Sequence, residues 1–399
     1  MYIALTEELQ RLQGELRLYF SELLAELPTG SYDEMRAGRM REIVRRIGAD
    51  GWLGVGWPKE FGGQGRSVAE QFVFFEEAKR AGAPLPMLAL NTVGPTLMQY
   101  GTDEQKRTYL PPILAGEADY AVGYTEPASG TDLASLKTKA VRAGRNYVIT
   151  GQKIFTSGGD TADYIWLAAR TDPDAPRHKG LSIFIVPTSS PGFSWTPLPT
   201  VGEGGTRTTT TRGTTSTFYD EVIVPETNRV GPENAGWDMI TKQLNQERVV
   251  LAAAGGWAYE LAQDVRSWVA RQFAADGSQL IDIPWVRSIL ARVDARLELM
   301  KLFNWRMVSR SGAGNEPAPG DASATNVFGT ETLIAVCREM IEVVGCAGYL
   351  VEGSPGAVLN GRLEQAYRAT IVGTFGGGNN DIQREMIAQR ALGMPKYRR

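Results

Sequence analysis

One carboxylate lies on the face of a predicted helix that should be apolar. Between Trp237 and Val265, apolar residues recur at alternating steps of three and four, which is typical of a helix packed on a core. The step between Leu244 and Leu251 is instead filled by Glu247. A buried carboxylate is costly unless it is paired, neutralised or used in chemistry. Burial would also raise its pKa towards the range in which a general base works at neutral pH.

Two interpretations of Glu247 are open from this stretch alone. The carboxylate could form an ion pair with Arg248 or with an arginine of another helix, since structural ion pairs also perturb pKa values. It could instead be a general base, which needs a pKa near the working pH. Residues elsewhere in the chain distinguish the two.

The composition is that of an ordinary globular protein. The 399 residues suggest two to three domains, and a net charge of −3 gives no basic surplus for nucleic acid. Cys337, Cys346 and the single His178 are too few for a zinc site or a serine–histidine triad. The N-terminus does not read as a signal peptide, and no segment has the roughly 18 uninterrupted apolar residues of a membrane span. We therefore expect a reduced, cytoplasmic protein.

Hydrophobic periodicity divides the chain into three parts. Helical patterns run to about residue 114, strand-like alternation begins near Ala118, and helical patterns return after Gly231. About seven short strands suggest a small β-barrel or sandwich, within which 201–216 reads as a mobile surface loop. The order predicts an α+β protein with a middle β domain between two helical domains. The predicted domains are 1–117, 118–230 and 231–399.

A first motif that could carry chemistry, YTEPASGTD, runs from Tyr124 to Asp132. Its small residues and hydroxyls allow backbone N–H groups and the side chains of Thr125 and Thr131 to approach a polar, planar ligand. Taken alone, it could be a glycine-bearing turn. With the stretches that follow, it resembles the acyl-CoA dehydrogenase family over essentially the whole chain. The family's TEPGxGSD motif holds the flavin ring and pyrophosphate of FAD, which implies that Tyr124, Thr125, Gly130 and Thr131 bind this cofactor.

A second motif, GQKIFTSGGD, spans Gly151–Asp160. The resemblance places Phe155 and Ser157 against the flavin, although the family more often has Trp at the first position. An aromatic ring supplies a stacking face, and a hydroxyl or a backbone N–H can hydrogen-bond flavin N5, which receives the hydride. Thr156, and Asn379 in the later stretch TFGGGNNDIQRE, are also expected to contact FAD.

The resemblance also bears on the catalytic base. In part of the family the base lies in a sequence like LxxERxxLA, and LNQERVVLA matches it with Glu247 as the base. Most members carry the base in an EGTxxIQR-like motif, where this chain has Gly377. This chain has no carboxylate at the position where most members carry the base, but it has one at the position used by the variant members. This combination favours Glu247 as the base. Thr131, Asn245 and Arg248 fall where the family contacts the CoA part of the substrate, although Arg248 could also hold Glu247.

The resemblance implies the fold of acyl-CoA dehydrogenases: an N-terminal helical domain, a middle β-barrel domain and a C-terminal four-helix bundle. It implies an FAD-dependent α,β-dehydrogenation of an acyl-CoA thioester to a 2-enoyl-CoA. Glu247 would take the α-proton while the β-hydride passes to the flavin. Hydrogen bonds to the thioester carbonyl would stabilise the enolate-like charge that develops. An electron-transferring flavoprotein is the expected electron acceptor.

Two departures from the family pattern suggest a partner. Family homotetramers carry an RxxFG-like motif whose Arg reaches the FAD of the neighbouring subunit, and here it is reduced to RQFA at Arg271–Ala274. The later glycine-rich FAD contact is thinned at Val343–Tyr349. These losses resemble an actinobacterial subset in which two unlike dehydrogenase chains form an α2β2 heterotetramer. That subset acts on CoA thioesters of steroid side chains in cholesterol catabolism, so we expect a second such subunit and a bulky acyl-CoA.

Three alternatives stay open. The chain could be a short- or branched-chain acyl-CoA dehydrogenase acting as a homotetramer, or a non-catalytic subunit that completes a partner's site. It could also be an oxygen-using flavin oxidase of the same fold. The intact TEPASGTD motif, with Phe155, Ser157 and Glu247, argues against the non-catalytic subunit, since a scaffold need not keep all of them.

Overall fold

The computed structural model describes residues 5–25, 34–202, 213–251, 255–310 and 319–396. The chain divides into two compact units, which are described separately. One, the helical unit, consists of Met1–Leu27, Ser67–Ala83 and Arg248–Arg399. The other, the sheet unit, consists of Pro28–Arg66 and Pro84–Glu247.

Helices occupy both ends of the chain, as predicted. Two of them begin with a capping box, in which a hydroxyl and a Glu or Gln three residues later satisfy each other's backbone N–H: Ser67 with Glu70, and Thr102 with Gln105. None of the helices in the described ranges is long and apolar enough to cross a membrane. The α-helices are α1 (Glu7–Ala25), α2 (Glu34–Ala49), α3 (Val68–Arg80), α4 (Gly94–Tyr100), α5 (Asp103–Leu114), α6 (Gly236–Leu251), α7 (Gly256–Val269), α8 (Pro284–Arg310), α9 (Pro319–Val344), α10 (Arg362–Thr370) and α11 (Asn380–Met386).

The strands form one sheet in the order β6-β7-β3-β2-β4-β5-β8, with β1 parallel to β4. Strands β4 and β5 are continuous apolar runs because both of their faces are buried. One face of the sheet covers a core that includes Tyr147, Phe184 and Tyr219. The strands are β1 (Tyr120–Gly123), β2 (Lys139–Ala143), β3 (Asn146–Ser157), β4 (Tyr164–Arg170), β5 (Leu181–Pro187), β6 (Phe193–Pro197), β7 (Thr214–Pro225) and β8 (Arg229–Val230).

The helical unit has its own core, to which α7, α8, α9 and α10 contribute buried apolar side chains. Helix α7 supplies Leu261 and Val265, and α8 supplies Leu290 and Val293. Each of these residues recurs at helical spacing, so one stripe of each helix is buried. The described parts of α7, α8, α9 and α10 therefore share one hydrophobic core.

The succession of helices, strands and helices confirms the predicted α+β class. The single helix predicted over Trp237–Val265 is described as α6 and α7, with 252–254 outside the described residues. The loop predicted at 201–216 was too long, because β7 already begins at Thr214; residues 203–212 lie outside the described ranges. The three domain boundaries stay a prediction.

Two adjacent glutamates of α3 have different environments within the helical unit. Glu77 is buried and accepts hydrogen bonds from Arg17 at 3.0 Å and from Arg80 at 2.6 Å. The pKa of Glu76 is instead raised from its ordinary value of 4.5 to about 7. Burial of the carboxyl group is the largest cause, and the charge of Glu77 adds to it. Lys301 acts in the opposite direction but less strongly. Folding therefore favours the protonated form of Glu76.

This environment predicts how stability depends on pH. Between pH 4.5 and 7 the folded state holds a proton on Glu76 that the unfolded state has lost, so this residue lowers the free energy of unfolding as the pH rises. Glu76→Gln cannot ionise and is expected to be more stable than wild type at pH 8, by up to about 3 kcal/mol, with little difference at pH 4. Urea unfolding at both pH values measures this.

The matched control is Glu22→Gln, which removes an exposed carboxylate from α1. It should give the same difference from wild type at both pH values. If Glu76→Gln behaves like this control, Glu76 is ionised in the folded protein at neutral pH and the expected linkage is wrong.

Candidate active site

The TEPASGTD motif follows β1 directly and forms a tight turn. The backbone groups of Glu126 and Ser129 exchange two hydrogen bonds of 3.0 Å. Glu126 and Ser129 are buried, whereas Gly130 and Thr131, which follow the turn, are exposed. A ligand can therefore reach Gly130 and Thr131, while the turn beneath them is held by buried polar groups.

The second motif lies at the end of β3 and contains a strained residue. Phe155 has φ of +56°, in the left-handed region, and its side chain is 57% exposed. It lies in a β-bulge, since the pairing with β7 shifts between Lys153 and Thr156. A non-glycine residue in this region costs about 1–3 kcal/mol and is concentrated at binding and active sites. In this strained conformation the Phe155 ring points outwards instead of into the core of the sheet unit.

Thr156 and Ser157, on either side of the strand, have opposite environments. The Thr156 side chain is fully buried, with its hydroxyl 3.5 Å from that of Thr217. The Ser157 side chain is exposed. Ser157 can therefore offer its hydroxyl to a ligand at the surface, whereas Thr156 exposes no surface and its expected contact with FAD stays a prediction.

A buried ion pair joins the two motifs. The Lys153 ammonium is 2.8 Å from a Glu126 carboxylate oxygen and donates to the carbonyl of Tyr124 at 3.0 Å. Lys153 is fully buried and Glu126 is 7% exposed. The carboxylate also accepts the backbone N–H groups of Lys137 at 2.6 Å and Thr138 at 2.7 Å. A backbone hydrogen bond of 2.9 Å from residue 154 to Thr125 completes the junction.

The charges of this pair are compatible with burial. Burial lowers the pKa of Lys153 to about 8, although Glu126 acts in the opposite direction. Burial alone would raise the pKa of Glu126, but Lys153 and the backbone donors bring it below its usual range. Both groups are therefore charged at neutral pH, and each is satisfied by the other.

A second polar chain runs from the sheet to α6. The Trp166 indole N–H donates to the Tyr124 hydroxyl at 3.1 Å, and that hydroxyl donates to the side-chain oxygen of Gln243. The Gln243 amide donates to the Thr96 hydroxyl at 2.9 Å, which donates to the carbonyl of Thr92 at 2.6 Å. These groups all belong to the sheet unit.

Helix α6 contains the position of the predicted base. Its buried face includes Met239, Ile240 and Gln243. The side chains of 244–254 lie outside the described part of the structure. The roles assigned to three of them therefore stay predictions: Glu247, Asn245 and Arg248.

The remaining predicted residues lie in the helical unit. The Asn379 side-chain oxygen caps α11 by accepting the backbone N–H of Asp381 at 2.8 Å. Gly377 is two residues earlier in the same turn. In the RQFA stretch after α7, Phe273 is 64% exposed. The unit is described by itself, so a role of Asn379 towards FAD stays a prediction.

The structure thus brings the TEPASGTD and FTS segments together and adds residues that the sequence interpretation missed. The missed residues are Glu126, Lys153, Trp166 and Gln243. A signal was available for two of them: Lys153 is a charge on the inward-facing positions of a strand, and Gln243 is a polar residue one turn before Glu247 on the same helix face.

Comparison with known proteins establishes the family. The chain matches the acyl-CoA dehydrogenase N-terminal domain over 6–117, the middle domain over 121–215 and the C-terminal domain over 234–392. It therefore belongs to the acyl-CoA dehydrogenase family, whose members are oxidoreductases acting on acyl-CoA and generally depend on FAD. The fold predicted from the resemblance, with helical domains on both sides of a middle β domain, is confirmed.

Several relatives align with the entire chain. Acyl-CoA dehydrogenase FadE26 of Mycobacterium tuberculosis is 46% identical over 409 residues, covering 100% of both chains. Among solved structures, the Tcur3481-Tcur3483 steroid ACAD (acyl-CoA dehydrogenase) is 51% identical with a TM-score of 0.89, covering 100% of both chains. The ChsE4-ChsE5 complex from Mycobacterium tuberculosis is 46% identical, also with a TM-score of 0.89 and 100% coverage of both chains.

The buried ion pair predicts a large and specific loss of stability. Lys153→Met leaves the Glu126 carboxylate buried without its partner, and removing one member of a buried pair typically costs about 3–5 kcal/mol. The free energy of unfolding from urea titration should fall by that amount. The double variant Glu126→Gln with Lys153→Met should lose less than Lys153→Met alone, because no unpaired charge remains.

The control is Arg177→Met, which breaks an exposed pair with Asp132 next to the same motif. Exposed pairs contribute about 0–1 kcal/mol. Equal losses in Arg177→Met and Lys153→Met would contradict a structural role for the buried pair.

Proposed function

We propose that this chain is the base-bearing subunit of an FAD-dependent acyl-CoA dehydrogenase. FAD, when bound, accepts the hydride from the β-carbon of the acyl group. Glu247 removes a proton from the α-carbon, and the electron pair of that C–H bond forms the double bond of the 2-enoyl-CoA. Glu247 must be ionised before the reaction so that it can accept this proton.

The observation that carries this proposal is the meeting of two flavin motifs at one place in the sheet unit. Residue 154 bonds to Thr125, and Lys153 bonds to both Tyr124 and Glu126. The strained and exposed Phe155 lies at this junction. Two motifs far apart in the sequence are thus held as one surface.

The described residues fit a flavin. The exposed ring of Phe155 offers a stacking face, and the exposed Ser157 offers a hydroxyl or a backbone N–H. Gly130 and Thr131 lie in an exposed turn where phosphate oxygens can approach the backbone. Tyr124, Thr125, Thr156 and Asn379 are proposed as further FAD contacts. Thr131, Asn245 and Arg248 are proposed to bind the CoA part of the substrate.

The role of Glu247 predicts a specific kinetic loss. Glu247→Gln keeps the shape and polarity of the side chain but cannot accept a proton, and loss of a general base typically costs about 10²–10⁴-fold. The rate of flavin reduction by acyl-CoA under rapid mixing should fall accordingly, while FAD content and melting temperature stay near wild type. Gly377→Glu in the same background tests whether a carboxylate at the more common family position restores activity.

Asp238→Asn is the control, since it removes an exposed carboxylate from the same helix. In Asp238→Asn, acyl-CoA should reduce the flavin at the wild-type rate. If Glu247→Gln keeps a tenth of the wild-type rate, the base lies elsewhere in the protein.

We propose a bulky, steroid side-chain acyl-CoA as the substrate. The support is the 51% identity to a structure described as a steroid ACAD, over the full length of both chains. The residues that would line an acyl pocket are not identified by this similarity, so the substrate is proposed by class. The alternative is a short- or branched-chain acyl-CoA.

A panel of thioesters separates the two substrate classes. Flavin bleaching by a CoA thioester with a fused-ring acyl group should be at least about tenfold more efficient than bleaching by octanoyl-CoA or butyryl-CoA, a difference of about 1.4 kcal/mol in transition-state binding. Equal or better efficiency with the straight-chain thioesters would support the short-chain alternative.

We further propose an unlike acyl-CoA dehydrogenase subunit as partner, in an α2β2 assembly, and an electron-transferring flavoprotein as acceptor. The support is the reduced RQFA motif together with similarity to the ChsE4-ChsE5 complex, a structure of two named chains. A neighbour identical to this chain would offer the FAD pyrophosphate only a poor version of the RxxFG arginine. Each missing charge-assisted hydrogen bond is worth about 1.5–3 kcal/mol.

This predicts that FAD retention depends on the partner. Expressed alone, the chain should lose most of its FAD on purification, because about 1.4 kcal/mol corresponds to each factor of ten in affinity. Co-expression with a second acyl-CoA dehydrogenase-like chain should restore one FAD per pair of chains, measured by absorbance and by mass in solution. A fully flavin-loaded and active homotetramer from this chain alone would overturn the proposed assembly.

A further inference from the structure

The chain of hydrogen bonds around Tyr124 has a single direction. The Trp166 N–H can only donate, so the Tyr124 hydroxyl accepts from it and uses its own proton towards Gln243. The Gln243 amide then donates to Thr96, whose proton goes to a backbone carbonyl. Each hydroxyl in the series accepts a hydrogen bond from the group before it and donates to the group after it. The orientation of the Gln243 amide is fixed as a result.

The side chains around the half-buried Tyr124 are shielded from solvent. Trp166 is fully buried, and Gln243 and Thr96 are 2% and 3% exposed. A buried amide that lost a partner would leave an unsatisfied polar group, which costs about 1–3 kcal/mol. The hydrogen bond between Tyr124 and Gln243 is therefore stabilised by the hydrogen bonds on both sides of it.

Tyr124 is next to the proposed flavin-binding segment, and Gln243 is on the helix that carries the proposed base. Tyr124 directly precedes Thr125 in the flavin motif, and its carbonyl is held by Lys153. Gln243 lies on the buried face of α6, one turn before position 247. The Tyr124 hydroxyl thus ties the flavin segment to the helix that carries the base.

We propose that Tyr124 and Gln243 are positioning residues, which set the distance between the proton-accepting carboxylate of Glu247 and the hydride-accepting flavin. This inference rests on the proposed function. Removal of a proton and of a hydride from neighbouring carbons requires both acceptors to be placed at once. A misplacement of 1 Å, even from a change distant from the chemistry, can cost about 10²-fold in rate.

The test compares Tyr124→Phe and Gln243→Leu in flavin-loaded protein, with all rates expressed per bound FAD. Each variant should lower the limiting rate of flavin reduction at saturating acyl-CoA by about tenfold. The apparent dissociation constant of the acyl-CoA should change by less than about threefold, because neither residue is proposed to contact it. The double variant should be no slower than the slower single variant, because both substitutions break the same contact.

Tyr147→Phe is the matched control. Its hydroxyl is also buried in the sheet unit and donates to a carboxylate, that of Glu233, at 2.7 Å, and its described hydrogen-bond partners lie outside α6. This variant should lower the melting temperature and leave the limiting rate unchanged. A purely structural role for Tyr124 would give the same result as this control.

Three outcomes separate the possibilities. Slow, non-additive flavin reduction in Tyr124→Phe and Gln243→Leu, with a wild-type rate in Tyr147→Phe, supports the positioning role. Wild-type limiting rates in both variants, with Glu247→Gln inactive, would overturn the positioning role and leave the proposed function standing. A fully active Glu247→Gln would overturn the proposed function itself, and this inference with it.

Discussion

The buried pair of Lys153 and Glu126 is the interaction on which the candidate site depends. An ammonium and a carboxylate removed from water are stable only where each satisfies the other and the remaining lone pairs find donors. Here those donors are the backbone N–H groups of Lys137 and Thr138, in the segment just before β2, and the lysine also holds the backbone of Tyr124. One interaction therefore fixes three segments of chain. Hydrophobic packing of the sheet alone would leave the turn after β1 without such an anchor.

The anchored segments in turn sustain strain at Phe155. A left-handed backbone at an aromatic residue persists only when its surroundings over-determine it. The β-bulge between Lys153 and Thr156 supplies this constraint, because the residues on both sides are buried and paired with β7. The result is a ring presented outwards at a fixed angle. Rigidity below the surface and an unusual conformation at the surface are two consequences of the same packing.

The sequence predicted the segments of the site better than their contacts. TEPASGTD and FTS could be located because small residues, hydroxyls and glycines form local patterns. The pairing of Lys153 with Glu126 could not, since it joins residues 27 positions apart through the fold of the sheet. Gln243 was missed because an amide on a helix face gives no partner by itself. Helix α10 was not predicted because its nine residues are shorter than the window over which helical periodicity can be recognised.

The same anchoring has a consequence for how the protein gains and loses its cofactor. The turn at Glu126–Ser129 and the bulge at Phe155 are held by contacts made entirely within the polypeptide. The entropic cost of ordering these two segments is therefore part of folding and not part of ligand binding. Removal of the cofactor should leave a preformed receptor instead of a partly unfolded chain. Deflavination and reconstitution would then be reversible steps, separate from folding.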